Sequence, residues 1–324
     1  MVKLASAEMA EKKLATRAAF GATLAELAEE GVPVVAVDAD LTGSTTTKKF
    51  AAAAPENADK LFNCGIAEQN MIDVAAGLAL TGHVAYTGSF AVFGTGRAYD
   101  QIRNTVCYSN LDVKICPTHA GVSVGPDGGS HQMLEDVSLM RGLPNMRVLV
   151  PADYAAARAA IKLAAKTPGP VYVRMGRAAV PCVYDDDVEL ELGRAYVLRE
   201  GSDATVIACG VEIREALAAA DMLAEEGVSI EVIDAFSVKP LDEDTITASV
   251  AKTGCCVVAE EHSVHGGLGS AVAECLACKN PAPCEFVGVE DRFGKSGEFE
   301  ELLGYFNLDA AAIVEAVKRA MGRK

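Results

Sequence analysis

The sequence predicts an α/β protein built from two consecutive three-layer α/β/α domains with mostly parallel sheets. Short, continuously apolar runs alternate with longer amphipathic stretches, a pattern typical of parallel strands covered by helices on both faces. The pattern occurs twice, and a polar, acidic stretch separates the two occurrences. With 324 residues, 50% of them apolar, each half can bury a core of its own. We therefore predict a first domain at 1–180, a linker at 181–195 with an exposed acidic run at 185–187, and a second domain at 196–324.

The first domain begins with a predicted helix over residues 5–30, which Gly31 and Pro33 end. A fully apolar run at 34–37 predicts a buried strand. Pro151 and Asp153 end one strand and start a helix at Tyr154–Lys166, where Asp153 is the expected N-cap. The same reasoning predicts strands at 61–63, 84–87, 113–116, 147–150 and 170–174, and a helix at 72–80.

The second domain repeats the alternation of strands and helices. Its predicted strands lie at 204–208, 229–233, 255–260 and 285–289. Its predicted helices lie at 213–226, 241–252, 268–277 and 310–321. No acid–base or nucleophile set is evident in this half, which we interpret as an assembly domain.

Charge and hydropathy exclude several classes of protein. Lys and Arg number 29 against 45 Asp and Glu, a formal net charge of −16, which disfavours nucleic-acid binding. The sequence contains no uncharged apolar stretch of about 18 residues, so we expect no transmembrane helix. The segment 1–17 is charged and Ala-rich and lacks the order of a signal peptide, so we expect a cytoplasmic location.

The ten cysteines are more typical of buried thiols than of a disulfide framework in a chain of this length. Cys275 and Cys278 form a C-x-x-C pair with Cys284 nearby. No second pair and no histidine pair accompany them, so the spacing does not predict a zinc site. We expect no metal ligands in this chain.

The most informative segment is Gly-Ile-Ala-Glu-Gln-Asn-Met at 65–71, which places Glu68 between a strand end and an apolar helix. Acidic residues are common in first helical turns, so Glu68 could simply be a capping residue. A carboxylate held there in a dry pocket would instead share its charge with a ligand. Position alone leaves both interpretations open.

Three further segments accompany it in a fixed order. They are Asp-Ala-Asp-Leu-Thr-Gly-Ser at 38–44, Gly-Ser-Phe-Ala-Val-Phe at 88–93, and a Gly-rich stretch at 118–132 that holds two of the five histidines. Taken singly, their aromatic, histidine and acidic residues are ordinary core or turn residues. Together with 65–71, in this order and spacing, they resemble the pyrimidine-binding and C-terminal domains of the transketolase family of thiamine-diphosphate enzymes. The resemblance covers nearly the whole chain.

The resemblance implies roles for individual residues. It implies that Glu68 binds the aminopyrimidine nitrogen N1′ of thiamine diphosphate, that Phe93 stacks on this ring, that Phe90 lines the pocket, and that Asp40 lies near the thiazolium. Glu68 and His131 would be the catalytic residues. His131 would contact the reacting hydroxyls, and Asp127 would recognise the C2 hydroxyl. The phosphate of the sugar would be held by four residues: Arg17, Ser44, His119 and Arg174.

The resemblance also implies a partner. The diphosphate of the cofactor is usually held through Mg²⁺ by a Gly-Asp-Gly segment followed by Asn, and no such segment occurs here. We therefore expect a separate N-terminal transketolase subunit to carry the Mg²⁺ and diphosphate site. The chain would be active only with that subunit, and the simplest assembly is α2β2.

The implied reaction is transfer of a two-carbon ketol unit from a ketose phosphate to an aldose phosphate. A 1-deoxyxylulose-5-phosphate synthase-like half shares the motif around Glu68, although the stretch from His119 to His131 fits transketolase better. A β subunit of a 2-oxo acid dehydrogenase E1 component has the same two domains but not usually this loop. A non-catalytic binding subunit of the same fold is the remaining alternative.

Overall fold

The computed structural model describes residues 2–324, arranged as two α/β domains. The elements of the first domain follow in chain order: α1 (Ala7–Ala10), β1 (Lys13–Ala15), a 3₁₀ turn (Thr16–Ala18), α2 (Ala19–Glu29), β2 (Val34–Asp38), α3 (Thr47–Ala53), α4 (Pro55–Ala58), β3 (Leu61–Asn63), α5 (Glu68–Leu80), β4 (Val84–Gly88), a π-helix (Val92–Arg97), α6 (Tyr99–Gln101), a second π-helix (Ile102–Cys107), β5 (Val113–Ile115), a 3₁₀ segment (Val122–Asp127), α7 (Asp136–Arg141), β6 (Arg147–Leu149), α8 (Tyr154–Lys166), β7 (Val171–Val173) and β8 (Ala179–Pro181).

The second domain continues the same alternation. Its elements are β9 (Tyr196–Arg199), β10 (Ala204–Ala208), α9 (Glu212–Glu225), β11 (Ile230–Asp234), β12 (Ser237–Lys239), α10 (Glu243–Thr253), β13 (Cys256–Ser263), α11 (Leu268–Lys279), β14 (Cys284–Val289), α12 (Phe299–Phe306) and α13 (Ala310–Met321).

Each domain is built on a mostly parallel sheet, which confirms the predicted fold class. The first sheet has the order β12-β6-β7-β5-β4-β2-β3, with β2 to β7 parallel. The second has the order β14-β13-β10-β11-β9, with only β9 antiparallel. Strand β12, from the second domain, pairs antiparallel with β6 at the edge of the first sheet. The local pattern did not predict this strand.

Helices cover both faces of the first sheet. On β2, Val34 packs into the cluster that includes Phe20 of α2, while Val35 packs into the cluster that includes Ile72 of α5. This alternation along a buried strand explains why its sequence is continuously apolar. Asp153 caps α8 as predicted, because its carboxylate accepts a hydrogen bond from the backbone N–H of Ala156 at 2.8 Å.

The predicted helix over residues 5–30 is interrupted, and only Ala7–Ala10 of its first half are α-helical. Lys13–Ala15 form strand β1, which pairs antiparallel with Ala179–Pro181 of β8, and α2 begins only at Ala19. The stretch is Ala-rich and therefore suits a helix locally. A strand partner more than 160 residues away decides its conformation, and no local pattern contains that information.

The predicted linker at 181–195 joins the two domains, and several of its residues are buried. Tyr184 is fully buried, its backbone N–H donates to Asp153, and its hydroxyl donates to Asp234 of the second domain at 2.6 Å. Val188 and Leu190 are buried as well. The buried residues of this segment pack the two domains together, while several charged residues face solvent: Asp186 and Asp187 of the acidic run, Glu189, Glu191 and Arg194.

The ten cysteines are all unpaired, and seven of them are buried. Within residues 2–324, no group of three or more Cys, His, Asp or Glu side chains is placed to hold a metal ion. Over the same residues, the helices are too short or too polar to cross a membrane.

Candidate active site

The residues singled out in the sequence gather at the carboxyl edge of the first sheet. Asp40 follows β2, Glu68 follows β3, Phe90 and Phe93 follow β4, and His119 follows β5. These four strands are neighbours, in the order β5-β4-β2-β3. Parallel α/β sheets bind ligands at this edge, because the strand ends open into a crevice between loops. The structure therefore brings together residues that are up to 79 positions apart in the chain.

Glu68 is the first residue of α5, and only 2% of it is exposed. Its Oε2 accepts a hydrogen bond from Nη1 of Arg97 at 3.0 Å. Its Oε1 has no hydrogen-bond partner within residues 2–324. This atom is not completely enclosed by protein, so a ligand atom can reach it. Glu68 is thus a buried carboxylate with one oxygen held by a cation and the other open to a ligand.

Arg97 also lies over the ring of Phe93, with its guanidinium carbon 4.4 Å from the ring centroid. Both residues belong to the π-helix Val92–Arg97, whose wide turns are frequent at functional sites. A spacing of four residues along a helix places two side chains on the same face. Arg97 was not singled out from the sequence, although its position four residues after Phe93 could have indicated the contact.

Two histidines surround these aromatic rings. The imidazole of His119 stacks on Phe90 with 3.8 Å between the ring centroids, and His131 meets Phe93 edge-on at 5.3 Å. Hydroxyls hold both imidazoles at Nδ1: Thr118 bonds to His119 at 2.7 Å, and Ser130 bonds to His131 at 3.0 Å. These bonds fix the ring orientations and leave each Nε2 free for a ligand.

Burial makes His119 a neutral imidazole. It is 3% exposed, and burial, helped by the positive charges of Arg17 and Arg177, lowers its pKa to about 3. A neutral ring can donate or accept one hydrogen bond without adding charge to the site.

Beside His119 lies a small cavity of about 230 Å³ that is lined by Arg17, Ser123 and Arg177. The two guanidinium groups meet only backbone carbonyls: Arg17 donates to Ser44 at 2.7 Å, and Arg177 donates to Val124 at 2.8 Å. Burial and the nearby Arg177 both lower the pKa of Arg17. Glu298 also lines the cavity, but its carboxylate caps α12 and, within residues 2–324, forms no ion pair with either arginine. Two guanidinium groups without a carboxylate partner suit an anionic ligand.

The structure does not bring Arg174 to this cavity. Arg174 is 7% exposed, and its guanidinium donates to both carboxylate oxygens of Asp136 and to the backbone carbonyl of Glu261. Burial disfavours its charge, but Asp136 outweighs burial and raises the pKa of Arg174. Arg177, three positions later, is the arginine of this segment that lines the cavity. It follows the end of β7, so the sequence could have indicated either residue.

The remaining predicted residues lie around this centre. Ser44 contributes the carbonyl that orients Arg17. Asp40 is exposed, with a positive φ of 64°, and shares hydrogen bonds with Asn63, which also receives the N–H of Gly65 ahead of Glu68. Asp127 is exposed on the Gly-rich loop, and its carboxylate has no hydrogen bond or ion pair among the described residues.

The second domain supports this loop directly. The side-chain amide of Gln132 accepts from the backbone N–H of Lys295 at 2.7 Å and donates to its carbonyl at 2.9 Å. Glu261 of β13 accepts hydrogen bonds from the N–H and the hydroxyl of Ser123. Burial raises the pKa of Glu261 to about 7. The sequence reasoning missed both supports, because each joins residues that are more than 130 positions apart.

Larger clefts lie elsewhere in the molecule. One of about 1010 Å³ runs along β14, and one of about 670 Å³ lies between α7 and α11. None of the predicted site residues lines them, so their size does not identify the site.

Comparison with known proteins finds matches for both domains of this chain. The transketolase pyrimidine-binding domain matches residues 12–183, and the transketolase C-terminal domain matches residues 193–313. A protein provisionally named transketolase C-terminal section, from Methanocaldococcus jannaschii, is 44% identical over 95% of this chain and 96% of its own length.

Two other similar proteins extend the comparison. A 6-deoxy-6-sulfo-D-fructose transketolase subunit from Clostridium sp. is 42% identical over 93% of this chain and 92% of its own length. A solved structure described as a split-gene transketolase, an inactive β4 tetramer, is 48% identical. It superposes with a TM-score of 0.87 over 96% of this chain and 99% of its own.

Proposed function

From the premise that this chain belongs to the transketolase family, we propose that it is the C-terminal subunit of a split transketolase that depends on thiamine diphosphate. The reaction would be transfer of a two-carbon ketol unit from a ketose phosphate to an aldose phosphate. The observation that carries the proposal is the buried Glu68 carboxylate with one open oxygen, next to the Phe93 ring.

These residues fit the aminopyrimidine of thiamine diphosphate. Glu68 Oε1 is an open acceptor for the N1′–H of the ring's imino form, and Phe93 and Phe90 offer flat apolar surfaces against which a heteroaromatic ring can stack. Asp40 lies one strand away at the same edge and would face the thiazolium. When bound, the cofactor supplies the nucleophilic carbon that cleaves and re-forms the bond beside a ketose carbonyl.

The sugar would lie between the two histidines and the arginine-lined cavity. His131, through its free Nε2, would contact the reacting hydroxyls, and Asp127 would bind the C2 hydroxyl. Neutral His119 would hydrogen-bond to the far end of the sugar. Arg17, oriented by Ser44, would bind the phosphate.

Arg177 would be the second phosphate ligand, because it lines the cavity that Arg174 does not reach. Arg174 would instead have a structural role, because its buried guanidinium bonds to Asp136 and to the carbonyl of Glu261. A relative named for 6-deoxy-6-sulfo-D-fructose suggests that the anionic group could be a sulfonate as well as a phosphate.

We further propose that a separate N-terminal subunit supplies the Mg²⁺ and diphosphate contacts in an α2β2 assembly. The two matched domains account for residues 12–313 and include no diphosphate-binding domain. The solved relative that consists of this half alone is described as inactive. Both observations favour a site completed by a second chain.

The test is a two-chain reconstitution. This protein would be mixed with a transketolase-like N-terminal chain encoded beside it, thiamine diphosphate and Mg²⁺, and xylulose 5-phosphate consumption followed with ribose 5-phosphate present. We expect activity only with both chains. Glu68→Ala should abolish it, whereas Asp73→Ala, an exposed acid on the same helix, should not.

Other donors distinguish the alternatives. Activity with pyruvate and glyceraldehyde 3-phosphate, but not with xylulose 5-phosphate, would indicate the synthase-like function. Turnover of 2-oxo acids alone would indicate an E1-like subunit. Full activity in the Glu68→Ala complex would refute the proposed site.

A further inference from the structure

Arg97 is the single charged partner of Glu68 in residues 2–324. It contacts both Glu68 and Phe93, the two residues that would bind the aminopyrimidine in the proposed function. Its side chain is 49% exposed, while that of Glu68 is 2% exposed. A further bond joins the two segments, since Gln69 donates through Nε2 to the backbone carbonyl of Arg97 at 3.3 Å. The start of α5 and the π-helix are therefore tied together on both sides of the carboxylate.

We propose that Arg97 is a positioning residue for the pyrimidine pocket: its bond to Oε2 fixes the Glu68 carboxylate with Oε1 left for the ligand, and it steadies the Phe93 ring. This inference rests on the proposed function and adds a residue to that site.

Hydrogen-bond geometry gives the reason. A buried carboxylate oxygen needs a partner, and a guanidinium supplies a charge-assisted hydrogen bond that also fixes the orientation of the carboxylate. The guanidinium bonds to Oε2 alone, so it holds the carboxylate without occupying the oxygen that a ligand needs. Its flat face against Phe93 restrains the rotation of that ring. The N1′–H of the protonated or imino form of the ring can then donate to an acceptor that is already oriented.

A competing role for Arg97 would change cofactor affinity in the opposite direction. If Arg97 occupied the place of the aminopyrimidine, the cofactor would have to displace it, and removing the side chain would tighten binding. If Arg97 positions Glu68 and Phe93, removing it weakens binding. The direction of one equilibrium change therefore decides between the two roles.

The test is equilibrium binding of thiamine diphosphate, with Mg²⁺, to the reconstituted two-chain complex by calorimetry. Arg97→Met keeps the length of the side chain but loses its charge and donors. We expect it to weaken binding about tenfold, the effect of losing one charge-assisted hydrogen bond. Arg97→Lys, which keeps the charge and a donor for Glu68 but loses the flat guanidinium face, should weaken binding less than Arg97→Met. The matched control is Arg103→Met, an exposed arginine on the second π-helix without an ion pair among the described residues.

Melting temperatures of all variants would show whether each complex is folded. Unchanged or tighter binding by Arg97→Met would overturn the proposal. Equal losses in Arg97→Met and Arg97→Lys would also overturn it, because packing rather than charge would then matter. Failure of the wild-type complex to bind the cofactor would instead refute the proposed function, and this inference with it.

Discussion

Replacing Arg174 should destabilise the fold and leave sugar binding almost unchanged, whereas replacing Arg177 should do the reverse. Arg174 donates to Asp136 through Nε at 2.7 Å and through Nη2 at 3.2 Å, and Asp136 is fully buried. Without Arg174, the hydroxyl of Tyr172 would be the last side-chain partner of this carboxylate. Removing one member of a buried ion pair costs about 3–5 kcal/mol. Arg174→Met should therefore lower the melting temperature by roughly 10 °C.

Arg177 lies in different surroundings. It is half-buried, and its one hydrogen bond within the described chain goes to the carbonyl of Val124. Arg177→Met should change the free energy of unfolding by less than about 1 kcal/mol. If Arg177 binds the phosphate, the loss of a charge-assisted contact of about 1.5–3 kcal/mol should raise the KM for the sugar phosphate by roughly ten- to a hundredfold.

The assay combines thermal melting with KM measurements on the reconstituted complex. The double variant Arg174→Met/Asp136→Leu is the internal control, because it removes both buried charges and should recover most of the lost stability. A normal melting temperature with a raised KM in Arg174→Met, together with a normal KM in Arg177→Met, would refute this assignment. The substrate-binding arginine would then be Arg174.

Three further predictions concern the contacts of the second domain with the Gly-rich loop. Burial raises the pKa of Glu261 from 4.5 in the unfolded chain to about 7 in the folded protein. Between these two pH values the folded protein keeps a proton that the unfolded chain has lost, so the contribution of Glu261 to stability falls as the pH rises from 4.5 to 7. Glu261→Gln should lack this loss and be more stable than wild type by up to about 3 kcal/mol at pH 8, measured by denaturant unfolding; a constant difference between the two proteins from pH 4 to 8 would contradict it. Gln132→Leu removes both hydrogen bonds to the backbone of Lys295 and should cost about 2 kcal/mol, with faster hydrogen exchange at 291–298; unchanged exchange there would argue against the contact. Gly121→Ala should cost more than about 2 kcal/mol by thermal melting, because φ is +79° and the added Cβ would overlap the Glu261 carboxylate, and retained stability would show that this carboxylate can move.

Local chemistry in the sequence was enough to predict the framework. The largely apolar runs became β2, β4 and β10, because a strand buried on both faces carries mostly apolar side chains. Asp153 was recognisable as an N-cap from its neighbours alone. The position of Glu68 at the start of an apolar helix was also readable, because it depends on a few adjacent residues.

Long-range pairing decided the elements that the sequence reasoning did not predict. Lys13–Ala15 became a strand and not a helix because β8 pairs with it. The stretch after β8 packs between the domains because Tyr184 finds Asp234, 50 residues later. Neither partner lies within the window that a periodicity can sample.

The sequence by itself determined which chemistry is present: a carboxylate, aromatic rings, histidines and arginines at the ends of successive parallel strands. Tertiary structure decided which of them face the crevice and which support it from behind. Arg174 and Arg177 differ by three positions and carry the same charge, yet one is buried against Asp136 and the other lines the cavity. The physical reason is that a guanidinium acts according to the partners around it, and those partners come from segments that only the fold brings together.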